Sequence, residues 1–160
     1  MRRWRLLLTI CALALGMGAS AAVSGLPTAA ACIPGPRTMG GAQVHVFCGP
    51  ATATIRVGGR TIRIKNGECG PNVPGFFSVK VGIFTFIPSR SKYTWFAAYV
   101  AGERRGTYRN QRVAFEYGGR HFQVWPNTVK LNAAPNTIPR RGTFSGRTDR
   151  GQPVSGSFIC

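Results

Sequence analysis

Acidic residues are scarce in this chain of 160 residues, which has 4 aspartates and glutamates against 21 lysines and arginines. These carboxylates, Glu68, Glu103, Glu116 and Asp149, stand far apart in the sequence. Most hydrolytic mechanisms need a pair of carboxylates, or a carboxylate that orients a histidine beside a nucleophile. Because there are only four carboxylates and they lie far apart in the sequence, we expect a protein without catalytic residues rather than an enzyme.

Motifs that hold metals and nucleotides are also missing. No Cys-x-x-Cys or Cys-x-x-His spacing occurs, and the histidines His45 and His121 lie in separate segments, which argues against a zinc site. Neither Gly58-Gly59 nor Gly118-Gly119 precedes a helical pattern, as a phosphate loop at a helix N-terminus would require. The sequence therefore predicts neither a metal nor a cofactor.

The chain also lacks a continuous apolar run of about 20 residues, the length of a membrane-spanning helix. Instead, an arginine-rich start is followed by an apolar stretch from Leu6 to about Gly18 and by small residues around Ala21 and Ala31. This pattern is typical of a secretory signal peptide, cleaved after Ala21 or after Ala31. We expect residues 1–31 to be the signal peptide and cleavage region of a protein that is secreted or held at the cell envelope.

A lipoprotein signal is the alternative interpretation of the same segment. Ala30-Ala31-Cys32 fits the last part of a lipoprotein box, in which Cys32 would become a lipidated first residue. Ala29 stands where such a box has a large aliphatic residue, and Gly25 and Pro27 interrupt the segment before it. Only under this alternative would the protein be attached to a membrane.

Alternating apolar and polar residues over most of the remaining chain predict about nine short β-strands joined by hairpin-length loops. The strongest signals are Gly58-Gly59 and Gly118-Gly119, because adjacent glycines are typical of a tight hairpin turn. No amphipathic helix is indicated outside the leader. The sequence predicts a single all-β domain over residues 42–160, an antiparallel β-sandwich or barrel stapled by disulfides, after an irregular arm over residues 32–41.

Cysteines are present in an even number after the leader, namely Cys32, Cys48, Cys69 and Cys160. In a small exported chain such a set predicts a disulfide framework, for which three connectivities are possible. The register of the Gly58-Gly59 hairpin, extended to the ends of both strands, places Cys48 opposite Cys69 and leaves Cys32 for Cys160. Other connectivities would have to come from tertiary packing.

The polar side of this first hairpin is basic. Arg56, Arg63 and Lys65 lie there among threonines, and with Arg60 at the turn they form a possible anion-binding face, because guanidinium forks bind anionic groups. For an exported protein the partner would be an anionic cell-wall polymer or lipid headgroups rather than a specific nucleic acid. The alternative is a solvated sheet face whose charge prevents aggregation.

The register of the Gly118-Gly119 hairpin places Phe115 opposite Phe122 and Glu116 opposite His121. Glu116 and His121 could form the base end of a nucleophilic relay in a hydrolase. Hairpin geometry alone explains them as a polar pair on the solvent face, and this is the role that we expect.

The layout of the two ends of the exported chain resembles that of small exported actinobacterial surface proteins. The segments concerned are Val46-Phe47-Cys48, Gly142-Thr143-Phe144-Ser145-Gly146 and the ending Val154 to Cys160. The layout is similar to that of the mycobacterial small surface lipoprotein antigens, whose C-terminal strand also ends in a cysteine. The resemblance implies a β fold, an envelope location and a Cys48 to Cys160 disulfide, but no defined activity. We therefore expect a non-enzymatic exported β-domain protein that acts at the cell envelope or outside the cell.

Overall fold

The computed structural model describes residues 32–86, 92–133 and 139–160. They belong to one compact unit, Cys32–Cys160. The predicted signal peptide and its cleavage sites lie outside the described residues. Within the described ranges no helix has the length and apolar character needed to cross a membrane.

The described chain consists of 12 strands that pair antiparallel, and the prediction of an antiparallel all-β fold is confirmed. The strands are β1 Gly35–Met39, β2 Ala42–Val46, β3 Thr52–Val57, β4 Arg60–Ile64, β5 Gly67–Val73, β6 Phe76–Thr85, β7 Trp95–Val100, β8 Gly106–Arg109, β9 Arg112–Tyr117, β10 Arg120–Asn132, β11 Arg141–Thr148 and β12 Pro153–Ile159. The sequence does not predict β1, β5 or β8, and it divides β10 into two strands.

The strand order closes on itself. The main path runs β1-β2-β6-β7-β9-β10-β11-β12-β3-β4, and β5 pairs with β6. Because only Lys65 and Asn66 separate β4 from β5, the path that leaves β6 through β7 returns to β6 through β4 and β5. This connectivity is that of a barrel, and the β1–β2 hairpin extends from it by pairing with the end of β6.

Phenylalanine side chains fill the interior of this ring. Phe77, Phe96, Phe115, Phe144 and Phe158 are each 2% exposed or less. Their rings stack, with centroids 5.0 Å apart for Phe96 and Phe144 and 6.0 Å apart for Phe77 and Phe158. Aromatic pairs at such distances stabilise a core beyond the area that they bury. Because side chains fill the interior, a ligand would bind on the outer faces or at the ends of the barrel.

Both predicted hairpin turns are present. Gly58 and Gly59 have φ angles of 54° and 74°, and Gly118 and Gly119 have φ angles of 59° and 71°. Positive φ at both positions is the geometry of the tightest hairpin turns, which glycine adopts without steric cost. Near both turns the predicted register is confirmed, with Ile55 opposite Ile62 and Phe115 opposite Phe122.

A third turn of the same kind corrects the expected irregular arm. Gly35–Met39 form β1, and Gly40 and Gly41, with φ angles of 56° and 78°, fold this strand back onto β2. β1 lies at the end of the strand path, where a proline such as Pro36 is tolerated. The prolines and glycines of this segment therefore belong to an edge strand and its turn.

Both predicted disulfide pairings are wrong. The bonds join Cys32 to Cys48 and Cys69 to Cys160. The hairpin register does not reach the cysteines because the chain turns at Asn66, where φ is 65°. Beyond that turn β5 leaves the hairpin and pairs with β6, which brings Cys69 opposite Val79.

The Cys48 to Cys160 pairing implied by the family resemblance is also wrong, because Cys48 is bonded to Cys32 and Cys160 is bonded to Cys69. The bond between Cys32 and Cys48 argues against the lipoprotein alternative, which stays a prediction. A lipid thioether would need the sulfur of Cys32, which the disulfide occupies.

Close packing at Gly142 gives a first prediction. A Cβ at this position would lie 2.3 Å from Cζ of Phe158 and 2.8 Å from the carbonyl oxygen of Lys130. Gly142→Ala should therefore lower the free energy of unfolding by about 1–3 kcal/mol, as overpacking of a core does. Gly70→Ala is the control, since nothing lies within 4 Å of its Cβ, and urea unfolding should show almost no change. Equal stability of the two variants would contradict the packing.

Candidate anion-binding face

A polar surface covers the outside of six neighbouring strands of the barrel, β8, β10, β11, β12, β3 and β4. Directly paired residues of an antiparallel sheet point to the same face, so the pairings show which side chains share this surface. One row across the strands consists of Thr107, Lys130, Thr143, Ser157, Thr54 and Arg63. The next row consists of Arg109, Thr128, Ser145, Ser155, Arg56 and Thr61. We call these two rows together the hydroxyl face.

The hydroxyl face combines hydroxyl groups with cations and carries no carboxylate. In each row the two cations are separated by four strand spacings, a distance of about 19 Å across the sheet. Hydroxyls fill the positions between them at intervals of about 5 Å, the spacing of adjacent strands. All of these side chains are exposed or half-buried. The result is a regular array of hydrogen-bonding groups with positive charge near both ends.

A depression of about 460 Å³ lies over the middle of this array. Its lining includes Thr54, Thr128, Thr143, Ser145, Ser155 and Ser157, with Arg56 and Lys130 also contributing. Hydroxyls can both donate and accept hydrogen bonds, whereas the two cations only donate. This combination suits a ligand that carries both hydroxyl groups and negative charge.

The four residues predicted to bind anions do not all lie on this face. Arg56 and Arg63 belong to its two rows, and Lys65 is exposed directly after β4. Arg60 does not belong to it, because it pairs with Val57 and therefore points to the side of the sheet that carries the core. Arg60 belongs to the residue pair next to the turn and to neither outer row, but it borders a groove that Arg56 and Thr61 of the face also line, so its part in anion binding stays a prediction.

Most of the hydroxyl face was missed by sequence reasoning. Its central side chains come from β10, β11 and β12, which lie far from the first hairpin in the sequence. The sequence predicts strands that contain Thr143-Phe144-Ser145 and Ser155-Gly156-Ser157. No local sequence pattern indicates that β12 pairs with β3, the pairing that places these hydroxyls beside Arg56 and Arg63.

The cations of this face are not neutralised by protein carboxylates. Across residues 32–86, 92–133 and 139–160, the one recorded ion pair joins Lys80 to Glu68 at 3.4 Å, on β6 and β5. Those strands lie outside the six that carry the hydroxyl face. Arg56, Arg63, Arg109 and Lys130 therefore keep their donors available for an anionic ligand.

The Glu116 and His121 pair has the predicted register but not the predicted environment. Glu116 lies opposite His121, yet it is 0% exposed and not on a solvent face. Its carboxylate accepts hydrogen bonds from Oγ1 of Thr85, at 2.9 Å, and from Nε1 of Trp95, at 3.0 Å. The expectation of an exposed polar pair fails because the end of β6 covers this part of β9. Gly82, with a φ of 95°, bends β6 away from β7 and onto β2.

The described residues do not assemble a nucleophilic relay around His121. Its ring lies 5.4 Å from that of Trp95, centroid to centroid. Nδ1 of His121 is buried, and no hydrogen-bond partner for it is found in the part of the chain that the structure describes. Glu116 acts there as the acceptor for a buried indole and a buried hydroxyl, which is a structural role.

Comparisons with known proteins leave the family open. No protein-family model matches this chain, and no curated protein matches it. Among solved structures it is similar to a redesigned β-barrel, with 19% sequence identity and a TM-score of 0.43, over 71% of this chain and 90% of that chain. The resemblance to mycobacterial surface antigens stays a prediction.

Proposed function

We propose that this protein is an exported, non-enzymatic module that binds an anionic polymer of the cell envelope on the hydroxyl face. The observation that carries the proposal is the pair of outer rows in which hydroxyls stand between cations without any carboxylate. A polymer with alternating anionic and hydroxyl groups could satisfy both kinds of side chain at once.

Charge and hydrogen bonding would contribute differently to this binding. The formal net charge is +17 for the whole chain and +14 (17 − 3) without Arg2, Arg3 and Arg5 of the predicted signal peptide. Such a charge attracts any polyanion at long range, an effect that salt screens. The hydroxyls add short-range hydrogen bonds that depend on the arrangement of groups along the ligand. Specific binding would therefore persist at a salt concentration that removes purely electrostatic attraction.

Two disulfides support the exported location within this proposal, because such bonds form and persist in oxidising compartments. A polymer of the cell wall is accessible in that compartment. Nucleic acid is not the expected partner there.

The test is binding to a poly(glycerol phosphate) matrix, with dextran sulfate as a matrix of high charge but different hydroxyl arrangement. The double variant Thr143→Val and Ser157→Ala removes two hydroxyls of one row without changing the charge. We expect at least about fivefold weaker binding to poly(glycerol phosphate), since each hydrogen bond contributes about 0.5–1.5 kcal/mol. Binding to dextran sulfate should be unchanged.

The charge contribution is tested by Arg63→Gln, with Arg112→Gln as the matched control. Both arginines are exposed, but Arg112 lies on β9, outside the six strands of the face. Arg63→Gln should weaken retention and reduce its salt dependence more than Arg112→Gln does. If retention on poly(glycerol phosphate) disappeared near physiological salt, or were equal for all variants, the binding would be non-specific electrostatic attraction. Either result would contradict the proposal. Preferential binding to anionic lipid vesicles would point to lipid headgroups instead.

A further inference from the structure

Two turns of the barrel repeat the same Gly-Gly-Arg sequence. Val57-Gly58-Gly59-Arg60 joins β3 to β4, and Tyr117-Gly118-Gly119-Arg120 joins β9 to β10. In each turn the arginine pairs across the hairpin with the residue before the glycines. Arg60 and Arg120 therefore occupy equivalent positions.

Both arginines are exposed and lie on the core side of their strands. Side chains alternate between the two faces of a strand, so Arg60 shares a face with Ile62, and Arg120 shares one with Phe122. Ile62 is 6% exposed and Phe122 is 8% exposed, and both belong to the core. Arg60 and Arg120 form the next layer outward, at the end of the barrel where the core stops.

The two turns meet around one cavity of about 420 Å³, which we call the barrel mouth. Its lining includes Arg60 and Arg120, the ring of Tyr117 and the side chain of Gln152 from the turn between β11 and β12. Val57 and Phe122 give it an apolar floor. Arg150 is not part of this lining, but its guanidinium lies 5.9 Å from the centre of the Phe122 ring, which is.

The turn itself does not require an arginine at this position. The third Gly-Gly turn of the chain, Gly40-Gly41, has the same signs of φ but is followed by Ala42. Arginines after the other two turns therefore need a reason other than turn geometry. Cations gathered at one cavity repel each other, and a bound anion would remove this repulsion.

Among the described residues, no carboxylate pairs with the arginines near the barrel mouth. In the described ranges neither Arg60, Arg120 nor Arg150 takes part in an ion pair. Guanidinium groups bind phosphate through two parallel hydrogen bonds, and a phosphomonoester, with about two negative charges, matches several arginines better than a carboxylate does. The phenol of Tyr117 and the amide of Gln152 can hydrogen-bond to hydroxyls next to such a phosphate.

We infer that the barrel mouth is a second binding site, separate from the hydroxyl face, for the phosphomonoester group of a small polyol or sugar. Arg60 and Arg120 hold the phosphate, and Tyr117 and Gln152 contact the polyol. The inference does not depend on polymer binding, because strand alternation places Arg60 and Arg120 on the core side of the sheet, and Arg60 meets Arg56 and Thr61 of the hydroxyl face only in a groove beside the turn.

Isothermal titration of the full exported chain with glycerol 3-phosphate tests the site, with glycerol and inorganic sulfate as comparison ligands. We expect saturable one-to-one binding of glycerol 3-phosphate, weaker binding of sulfate and none of glycerol. The double variant Arg60→Gln and Arg120→Gln should weaken binding at least tenfold, because hydrogen bonds between charged groups are about twice as strong as neutral ones.

The matched control is the double variant Arg63→Gln and Arg109→Gln, which removes the same charge from the hydroxyl face. It should leave glycerol 3-phosphate affinity within about twofold, as expected when distant sites act independently. Thermal unfolding of both variants checks that they fold. Absence of saturable binding in the unmodified protein, or equal losses in the two variants, would overturn the inference. Vesicles containing phosphatidic acid form a separate arm, and binding to them without binding to glycerol 3-phosphate would overturn the assignment of a soluble ligand.

The same variants separate this site from the proposed function. If the protein is not retained on poly(glycerol phosphate) but still binds glycerol 3-phosphate, the hydroxyl-face proposal is wrong and the inference about the barrel mouth stands. If glycerol 3-phosphate does not bind while poly(glycerol phosphate) is still retained, the inference about the barrel mouth is wrong and the hydroxyl-face proposal stands.

Discussion

Removal of the Cys69 to Cys160 disulfide is expected to lower the free energy of unfolding by about 4–5 kcal/mol, against about 3 kcal/mol for the Cys32 to Cys48 disulfide. The two bonds close chain segments of very different length, with sequence separations of 91 and 16 residues. A crosslink restricts the unfolded chain more strongly when the loop that it closes is longer. Cys69 and Cys160 also pack against the hydrophobic core, so their loss affects the folded state as well.

Urea unfolding of Cys69→Ala with Cys160→Ala, and separately of Cys32→Ala with Cys48→Ala, measures the difference. Replacing both cysteines of a pair avoids a free thiol that could form new bonds. Without the longer crosslink, β12 loses its tie to β5 next to its C-terminal end and should also show faster amide hydrogen exchange near Ile159. A larger loss of stability from the Cys32 and Cys48 pair would contradict the dependence on loop length.

Glu116→Ala should lower the free energy of unfolding by about 2–6 kcal/mol, because it leaves Oγ1 of Thr85 and Nε1 of Trp95 without their acceptor, and each unsatisfied buried group costs about 1–3 kcal/mol. The carboxylate is fully buried, so water cannot replace it without a change in packing. Glu116→Gln retains an oxygen acceptor of nearly the same shape and should lose less stability.

Glu68→Ala is the surface control for this prediction. Glu68 forms the ion pair with Lys80, but its side chain is 54% exposed, and exposed pairs contribute little to stability. Thermal and urea unfolding of Glu116→Ala, Glu116→Gln and Glu68→Ala should therefore rank the first as the least stable and the last as nearly unchanged. If Glu116→Ala were as stable as Glu68→Ala, the buried hydrogen bonds to Thr85 and Trp95 would not hold this part of the barrel together.

The candidate sites show how far the sequence could be interpreted. Arg56 and Arg63 were predicted to share a face because the Gly58-Gly59 turn determines their register. Lys130 and the hydroxyls of β11 and β12 could not be added to that face, since no local pattern indicates that β12 pairs with β3. The sequence shows that Arg60 and Arg120 each follow a Gly-Gly turn, but only the tertiary structure brings the two turns to one cavity.

By itself the sequence determined the local structure of this protein: the two hairpins, their registers and the all-β class. Those features depend on neighbouring residues, through glycine turns and the alternation of side chains. Only the tertiary structure decided the disulfide pairing, the burial of Glu116, the hydroxyl face and the barrel mouth. Each of these depends on which distant strands pair, on the turn at Asn66 between β4 and β5, and on the bend of β6 at Gly82. Long-range pairing is set by the packing of the whole core, which no single segment encodes.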